Sequence, residues 1–599
     1  MHKTHSFHIP VMGIGFTIDS PLKVAQYGMD SVISLVDDIL LEKLRKMYSE
    51  QFEVPYQEIT NKMDDFRAKR ITSYLNMIHE QTERKFKAIK NVTLEKSHEI
   101  KEYISMLPDY STIKKEFEKL TSNGFVFSEV KEWAHQNLKM GSVDVNIMTK
   151  IDKDNYIKKE QLPAEYNDAH AALRGYANSN LSSSLILSAG MNPRLYRYMS
   201  QFDDFFPTAT GCIKKKIILK VSDYRSALIQ GKFLAKMGLW VSEYRIESGL
   251  NCGGHAFATD GFLLGPVLEE FKEKKAVLTE SIQELLNQAL KEQNRSAPET
   301  NLEIKITAQG GVGTEEEQRF LLDYYNIDSV GWGSPFLLVP EATTVDKKTL
   351  NKLAAAKEED LYLSDISPLG VPFNNLKGNT KDAEKVLLIE KNRPGSSCPS
   401  KFISLNKEFK ETGMCTASRE YQYLKIKKLE SQELSSEAHQ QQYDKIIEKS
   451  CICVGLGTSA LLEYDLDRKA EGEGVSVCPG PNMAYYSKIM SLKNMTDHIY
   501  GRANMISRTD RPNMFIKEMS IYIEYLQNKL EEVKYSMDTK QRRYLSKFRK
   551  NLEAGIHYYA DLFLKQKELF IEGKEEILKA LKRSEKILSL IEIEIESIK

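Results

Sequence analysis

Eight short apolar runs constrain the fold of this chain more than any other feature of its sequence. Most of them are continuous rather than alternating, which indicates parallel strands that are buried on both faces. Helical stretches such as DYRSALIQGKFLAKMG and TEEEQRFLLDYY separate several of the runs. Strand–helix alternation repeated eight times predicts an α/β fold, a (β/α)8 TIM barrel, with a doubly wound sheet as the alternative. The runs are HIPVMGIG, DSVISLVDD, GSVDVNIMTK, SSSLILSAG, KKKIILKVSD, GLWVSEYRIESG, NLEIKITAQGG and IDSVGWGS.

Two further regions interrupt or extend the predicted barrel, which occupies residues 1–36 and 141–345. Residues 37–140 have apolar positions at helical spacing and predict an inserted helical subdomain. Because this insertion follows the carboxyl end of a strand, we expect a lid or cap over the active face, with a packing or oligomerisation domain as the alternative. Residues 346–400 predict a turn-rich crossing segment, and residues 401–599 a mostly helical, cysteine-containing C-terminal extension.

The charge balance and the hydropathy restrict the partners. Lys plus Arg and Asp plus Glu both total 84, so the net charge is zero, which argues against bulk attraction to nucleic acid or an anionic membrane. The basic run KQRRYLSKFRK is more typical of a solvated helix face than of an RNA contact. No apolar run approaches the ~18 residues of a membrane span, and the N-terminus lacks a signal-peptide pattern. We expect a cytoplasmic protein with no membrane partner.

Glycine turns follow the last two predicted strands. Gly310 and Gly311 end the seventh strand, and Gly331, Gly333 and Ser334 end the eighth. A glycine pair at a strand-to-helix turn supplies positive φ, or it lets a phosphate approach the backbone N–H groups. Barrels commonly bind phosphate at the loops after these two strands. Two such turns in consecutive loops therefore favour the phosphate hypothesis over turn geometry alone.

His255 follows the glycine pair Gly253 and Gly254 in a loop after the sixth strand. A histidine at the active face of a barrel is a candidate acid or base, because its pKa lies near neutrality. The alternative is a structural histidine that is bonded to a backbone carbonyl.

Five of the seven cysteines lie in the C-terminal part of the chain. Thiolates beside Gly and Pro suit an iron–sulfur cluster or zinc, although no C-x-x-C is present. The alternative is a set of ordinary buried thiols. The candidate metal ligands are Cys398, Cys415, Cys451, Cys453 and Cys478.

Several short motifs, taken together in their order, resemble the nitronate monooxygenase family of FMN-dependent barrels. The motifs CGGHAF, AQGGVGT and SVGWGSPFL are similar to the family's sixth, seventh and eighth strand ends. VMGIGF and DVNI look like its first and third strands, and SPLGVPFNNLKG is similar to its crossing segment. Bacterial flavin enoyl reductases share this layout. The likeness covers about residues 6–36 and 141–380, and the insertion and the extension have no counterpart in it.

The resemblance implies an FMN cofactor and a role for each matching residue. Gly310 and Gly311 would bind the phosphate with Gly333 and Ser334, and Lys220 would stabilise the reduced flavin near its N1–O2 edge. His255 would face the substrate as base or proton donor. The family's Gly-Gly-His-Arg-Gly is Gly-Gly-His-Ala-Phe here, which leaves the substrate open. The complete cofactor set is Met12, Gly13, Ile14, Asn146, Lys220, Gly253, Gly254, Gln309, Gly310, Gly311, Gly331, Gly333 and Ser334.

The sequence therefore predicts an FMN-dependent oxidoreductase that acts on a small activated carbon substrate. A reductase or dehydrogenase is preferred, because the insertion and the extension would screen the flavin from oxygen. NAD(P)H or an electron-transfer protein would be its partner, and the chain could form an oligomer. A nitronate monooxygenase is the first alternative. An RNA-modifying flavoenzyme and a non-catalytic flavin-binding or scaffold protein are the others.

Overall fold

A closed barrel of eight parallel strands forms the centre of the molecule, as the computed structural model shows. The structure describes residues 4–91, 93, 97–188, 190–252, 260–398, 400–533, 537–566, 568, 570–571 and 573–598. Seven of the eight strands lie within the apolar runs of the sequence, and β1 begins one residue before its run, so the TIM-barrel prediction is confirmed. They are β1 (Phe7–Ile9), β2 (Asp30–Ser34), β3 (Val143–Ile147), β4 (Ser184–Leu187), β5 (Lys216–Val221), β6 (Val241–Glu247), β7 (Lys305–Gln309) and β8 (Ser329–Gly331).

Each strand is hydrogen-bonded to the next strand in the chain, and β8 closes the barrel on β1 through the register Phe7↔Val330. Successive side chains of a strand point to opposite faces, so alternate residues fill the inside. A small apolar cluster of Val11, Val32, Ile186 and Ile218 is separate from the main hydrophobic core. The outward residues of the same strands join the main core beneath the helices.

Helices surround the barrel, and side chains that cap their first turns define several starts. Asp223 accepts a hydrogen bond from the Ser226 N–H at 2.8 Å, and Thr314 accepts one from the Glu317 N–H at 3.1 Å. The helices of this layer are Ser20–Val24, Asp168–Ala177, Pro193–Met199, Tyr224–Ala235, Leu264–Glu292, Glu315–Tyr324 and Lys347–Ala355.

The insertion packs beside and beneath the barrel, and its role as a lid or cap stays a prediction. Its last helices form a second hydrophobic cluster near the amino ends of the strands, where Tyr103 donates to the Lys139 carbonyl and Tyr110 contacts Ser6. The described cleft at the carboxyl face takes no lining residue from 37–140. The chain leaves β2 at its carboxyl end and must return to the amino end of β3, so the helices descend. They are Asp38–Gln51, Phe66–Lys90, Ser97–Met106, Thr112–Thr121 and Phe127–Asn137.

The crossing segment and the C-terminal extension cover the carboxyl face instead. The crossing segment contains the hairpin of Leu361–Ser364 and Phe373–Leu376, and a second small hairpin, Tyr156–Ile157 with Glu160–Gln161, follows β3. No helix among the described residues is long and apolar enough to cross a membrane. The remaining helices are Thr380–Glu390, Arg419–Glu430, Ser436–Glu448, Ile452–Glu463, Leu492–Ile499, Met514–Glu531, Thr539–Lys565 and Lys574–Ser597.

Candidate active site

A cleft opens at the carboxyl ends of the barrel strands, where TIM barrels place their active sites. Its floor comes from strand ends and the loop after β1, and its roof from the crossing segment and the extension. The floor residues are Val11, Gly13, Ile14, Ser34, Asn146, Met148, Thr149, Lys150, Ile151, Ser188, Lys220 and Glu247. The roof residues are Leu369, Val371, Phe373, Ile403, Ile452, Cys453 and Leu456.

A buried charge pair lies on the floor of this cleft. The Nζ of Lys220 lies 2.6 Å from Oε1 of Glu247, and their side chains are only 7% and 6% exposed. Asn251 donates to the same oxygen at 2.6 Å, and Gln309 donates to it at 2.7 Å. Lys220 thus lines the cleft near the carboxyl end of β5. Its positive charge is nevertheless compensated by Glu247, which the sequence argument had not included.

Gln309 presents an unsatisfied acceptor beside this pair. Its Nε2 is used by Glu247, whereas its Oε1 is buried and has no hydrogen-bond partner within the described part of the chain. An unpaired buried acceptor costs about 1–3 kcal/mol, so a buried polar atom of this kind is usually bonded to water or a ligand. The free oxygen of Gln309 could accept a hydrogen bond from a bound group, and its place in the cofactor site stays a prediction.

Asn146 stands at the end of β3 and is held in one orientation. Its Nδ2 donates to the Ile186 carbonyl and to the Ser188 Oγ, both at 3.1 Å. Only 2% of the residue is exposed, and it lines the cleft. The predicted cofactor contact of Asn146 is therefore available through a side chain that neighbouring strands have already fixed.

The loop after β1 brings two of its three predicted residues to the cleft. Gly13 and Ile14 line the cleft, while Met12 is fully buried and does not reach it. Gly13 has φ of +139°, and a Cβ there would lie 2.8 Å from the Phe16 ring, so only glycine suits this position. The next glycine, Gly15, donates its N–H to the Leu456 carbonyl at 2.8 Å, which fixes the roof helix Ile452–Glu463 to this loop.

The glycine pair after β7 is required by the backbone conformation of the turn, and it does not line the cleft. Gly310 and Gly311 have φ of +108° and +86°, and a Cβ on Gly311 would lie 2.5 Å from Leu250. The helix that follows already has an anion at its start, because the Glu317 carboxylate accepts the Gly313 N–H at 2.8 Å. The Arg511 guanidinium neutralises that carboxylate at 2.8 Å. The helix start is thus occupied by the chain's own carboxylate, and phosphate binding at this turn stays a prediction.

The glycines after β8 allow close packing in the same way. A Cβ on Gly331 would lie 2.5 Å from the Gln309 Cβ, and one on Gly333 would lie 3.0 Å from the Cys252 Cβ. Ser334 is 5% exposed and lies under Gly480 of the extension. These residues lie beneath the loops 248–252 and 478–482 and do not line the cleft.

The predicted catalytic residue His255, with Gly253 and Gly254, lies outside the described residues. The two flanks of that loop are joined by one carboxylate of the extension. Glu518 accepts hydrogen bonds from the Ser248 Oγ at 2.6 Å and from the Leu264 N–H at 2.9 Å. Burial raises the pKa of Glu518 to about 7. Ser248 and Leu264, which lie on either side of the undescribed residues, are therefore both bonded to the helix Met514–Glu531.

Four of the five predicted metal-ligating cysteines lie together, and the fifth does not. The thiols of Cys398, Cys415 and Cys453 lie near that of Cys451. The interaction with Cys451 raises the pKa of Cys398, and burial together with the same interaction raises the pKa of Cys415. Cys478 lies elsewhere, where its carbonyl accepts from the Cys252 Sγ at 3.1 Å. Among the described residues, no group of three or more His, Cys, Asp or Glu side chains is arranged to hold a metal ion. The predicted iron–sulfur cluster or zinc site therefore has no support in the structure.

Two important residues were missed from the sequence. Glu247 ends β6 in RIESG, two residues before a glycine, and a carboxylate at that point of a barrel strand was a signal that could have been used. Glu518 carried no such signal, because it comes from the extension and only the tertiary fold brings it to the barrel.

Comparisons with known proteins add the following. No family model matches the chain, and no curated protein matches it. Among solved structures, the enoyl reductase domain of MlnA from the macrolactin biosynthesis cluster of Bacillus amyloliquefaciens is 15% identical, with a TM-score of 0.33. That match covers 68% of this chain and 89% of the other. FabK from Thermotoga maritima is 13% identical with a TM-score of 0.29, and the match covers 67% and 82% of the two chains. At these TM-scores neither likeness carries an argument about activity.

Proposed function

We propose that the barrel is an FMN-dependent oxidoreductase that reduces a small activated carbon substrate, such as an α,β-unsaturated thioester. The observation that carries the proposal is the buried oxygen of Gln309, which has no partner among the described residues and lies beside the buried Lys220–Glu247 pair at the carboxyl end of the barrel. A mostly apolar cleft with a few fixed polar groups is typical of a cofactor site.

The residues that line the cleft match the chemistry of a flavin, and the cleft, at about 80 Å³, would have to widen to admit the ring system. Gly13 and Ile14 would lie along one ring face, and Asn146 would offer a polar group at the ring edge. Gln309 is bonded to Glu247, which itself lines the cleft. Bound FMN would supply hydride transfer to or from carbon. A phosphate at the glycine turns after β7 and β8 would have to displace the Glu317 carboxylate and the loops 248–252 and 478–482, which contact these turns closely.

The Lys220–Glu247 pair gives the chain a way to respond to a change of charge in the cleft. Lys220 can donate to a neighbouring anion, while Glu247 remains bonded to Asn251 and Gln309. Such a preorganised polar group costs little reorganisation when charge develops. His255 would provide the proton, as the family resemblance implies.

The roof favours a reductase over a monooxygenase. The crossing segment and the extension place apolar side chains over the cleft, including Phe373, Ile403 and Ile452. An apolar roof excludes water and limits free access of oxygen to the site. A dedicated electron donor such as NAD(P)H is then the expected source of reducing equivalents.

Stopped-flow kinetics test this proposal. FMN-loaded protein is photoreduced without oxygen and mixed either with an α,β-unsaturated thioester or with air-saturated buffer. We expect rapid reoxidation by the thioester, slow reoxidation by air, and loss of the thioester reaction in His255→Ala. Reoxidation by air within milliseconds, together with turnover of an alkyl nitronate that His255→Ala abolishes, would establish a nitronate monooxygenase instead.

A further inference from the structure

A surface groove of about 940 Å³ lies apart from the barrel cleft, and no described residue lines both. Residues between 392 and 398, together with Lys401, supply part of its lining. The helices Arg419–Glu430 and Ser436–Glu448 supply the rest. We propose that this groove binds a soluble phosphate monoester whose organic part is aromatic. The inference is independent of the function proposed for the barrel.

Backbone hydrogen bonds hold the two parts of the groove together. The Arg419 N–H donates to the Ser396 carbonyl at 3.1 Å, and the Ser396 N–H donates to the Ala417 carbonyl at 2.9 Å. Gly395 packs against the same helix start, where an added Cβ would lie 2.7 Å from the Arg419 Cα. The main chain therefore fixes the start of the helix Arg419–Glu430 beside the other part of the lining.

Four cationic side chains line the groove, and none of them forms an ion pair with another described residue. Other cations on the same helix are paired, because Lys425 and Lys428 contact Glu408 at 2.8 and 2.9 Å. The Nε of Arg419 is buried and lacks a hydrogen-bond partner among the described residues. Because a buried charged group without a partner is unfavourable, this set is suited to an anion from outside the chain. The four cations are Arg393, Lys401, Arg419 and Lys427.

The charge of the groove matches that of a phosphate monoester. Two carboxylates, Glu420 and Glu430, line it with the four cations, so its net charge is +2, and Glu420 is in turn paired with Lys410. A phosphate monoester carries a charge of about −1.5 to −2 at pH 7. Arginine binds phosphate through paired N–H groups. The positive end of the helix dipole, at Ser418 and Arg419, adds to the attraction.

Helical spacing places an aromatic ring next to the cationic end of the groove. Tyr423 lies one turn after Arg419 on the same helix face, about 6 Å along the axis, and Lys427 lies one turn further. The Tyr423 side chain is 54% exposed, and Tyr443 of the next helix lines the same groove. An aromatic group attached to a phosphate at Arg419 would therefore contact Tyr423.

Isothermal titration calorimetry of the full chain tests the site with phenyl phosphate, inorganic phosphate and phenol as probes. We expect one phenyl phosphate per chain, weaker binding of inorganic phosphate, and no binding of phenol. Arg419→Gln should raise the Kd of phenyl phosphate by about tenfold or more, because a charged hydrogen-bond donor is lost. Lys428→Met, on the same helix but outside the groove, should leave that Kd unchanged.

Two further variants separate the phosphate from the aromatic group. Tyr423→Ala should weaken the binding of phenyl phosphate and leave that of inorganic phosphate unchanged. Arg393→Gln should weaken the binding of both probes. Because Arg393 is exposed and unpaired among the described residues, this variant decides the question even if Arg419→Gln does not fold.

Three results would overturn the proposal. The first is no saturable binding of phenyl phosphate. If the protein then co-sediments with phosphatidic acid vesicles and Arg393→Gln abolishes this, the anion is a lipid headgroup instead. The second is binding of phenyl phosphate that both arginine variants leave unchanged.

The third is displacement of phenyl phosphate by FMN, because the two ligands would then share one site. An unchanged Kd of phenyl phosphate at saturating FMN supports a separate groove. If FMN does not bind at all, the proposal for the barrel fails, and the phenyl phosphate titrations still test the groove.

Discussion

Replacing Lys220 by methionine should destabilise the protein by leaving Glu247 as a buried, unpaired charge. Both side chains are less than 10% exposed, and their atoms are 2.6 Å apart. Breaking such a pair costs about 3–5 kcal/mol. The unfolding entropy of ~2.1 cal/mol/K per residue gives ~1.3 kcal/mol/K for 599 residues. We therefore expect the Tm to fall by about 2–4 °C.

The double variant Lys220→Met/Glu247→Gln isolates the charge effect. It removes both charges and keeps an acceptor for Asn251 and Gln309, so its Tm should lie nearer to wild type than that of the single variant. Lys216→Met is the matched control, because Lys216 is exposed at the start of the same strand. Scanning calorimetry of all four proteins measures the shifts. A single variant that melts with wild type, or a double variant that melts below the single one, would refute the reasoning.

Three further predictions address the extension and the first loop. Burial raises the pKa of Glu518 to about 7, so the folded state holds a proton that the unfolded chain releases near pH 4.5. The stability of the wild-type protein should therefore fall relative to that of Glu518→Gln as the pH rises from about 4.5 to 7, which a series of thermal melts measures. Arg511→Met should cost about 3–5 kcal/mol because it leaves Glu317 buried and unpaired, whereas Arg508→Met at the surface should cost no more than about 1 kcal/mol in the same denaturation assay. Gly13→Ala should cost about 1–3 kcal/mol because its φ is +139°, and an unchanged Tm would show that the loop relaxes.

The barrel was predictable because its signal is local and repeated. Each strand is an apolar run of the right length, and the helices between them have caps that the sequence shows, such as Asp223 and Thr314. The path of the insertion was not predictable. Its helices carry apolar faces, but the sequence does not indicate which end of the barrel those faces bury.

The position of a site residue was predictable only where the barrel fold alone determines it. Gly13, Asn146, Lys220 and Gln309 stand at strand ends or in the loop after β1, so the barrel fold alone brings them together. The partners that decide their electrostatics come from elsewhere. Glu247 compensates the charge of Lys220, which residue-by-residue reasoning cannot reveal.

The glycine turns show that the sequence predicts the conformation of a turn but not the long-range contacts around it. Both were expected from the sequence, and the positive φ of Gly310 and Gly311 confirms the steric part of that expectation. The anion at the following helix start is Glu317, which is only four residues beyond Gly313. Its pairing with Arg511, almost 200 residues away in the chain, depends on long-range contacts that carry no sequence signal.

Titration of the flavin-free protein with FMN tests the central claim most directly. Quenching of flavin fluorescence gives the stoichiometry and the Kd for wild type and for Gln309→Leu, a substitution of similar size that removes the unpaired acceptor. We predict one FMN per chain, and a Kd that rises up to about tenfold in the variant, because one hydrogen bond of ~0.5–1.5 kcal/mol is lost. An absence of saturable quenching in wild type at a large excess of FMN would contradict the account.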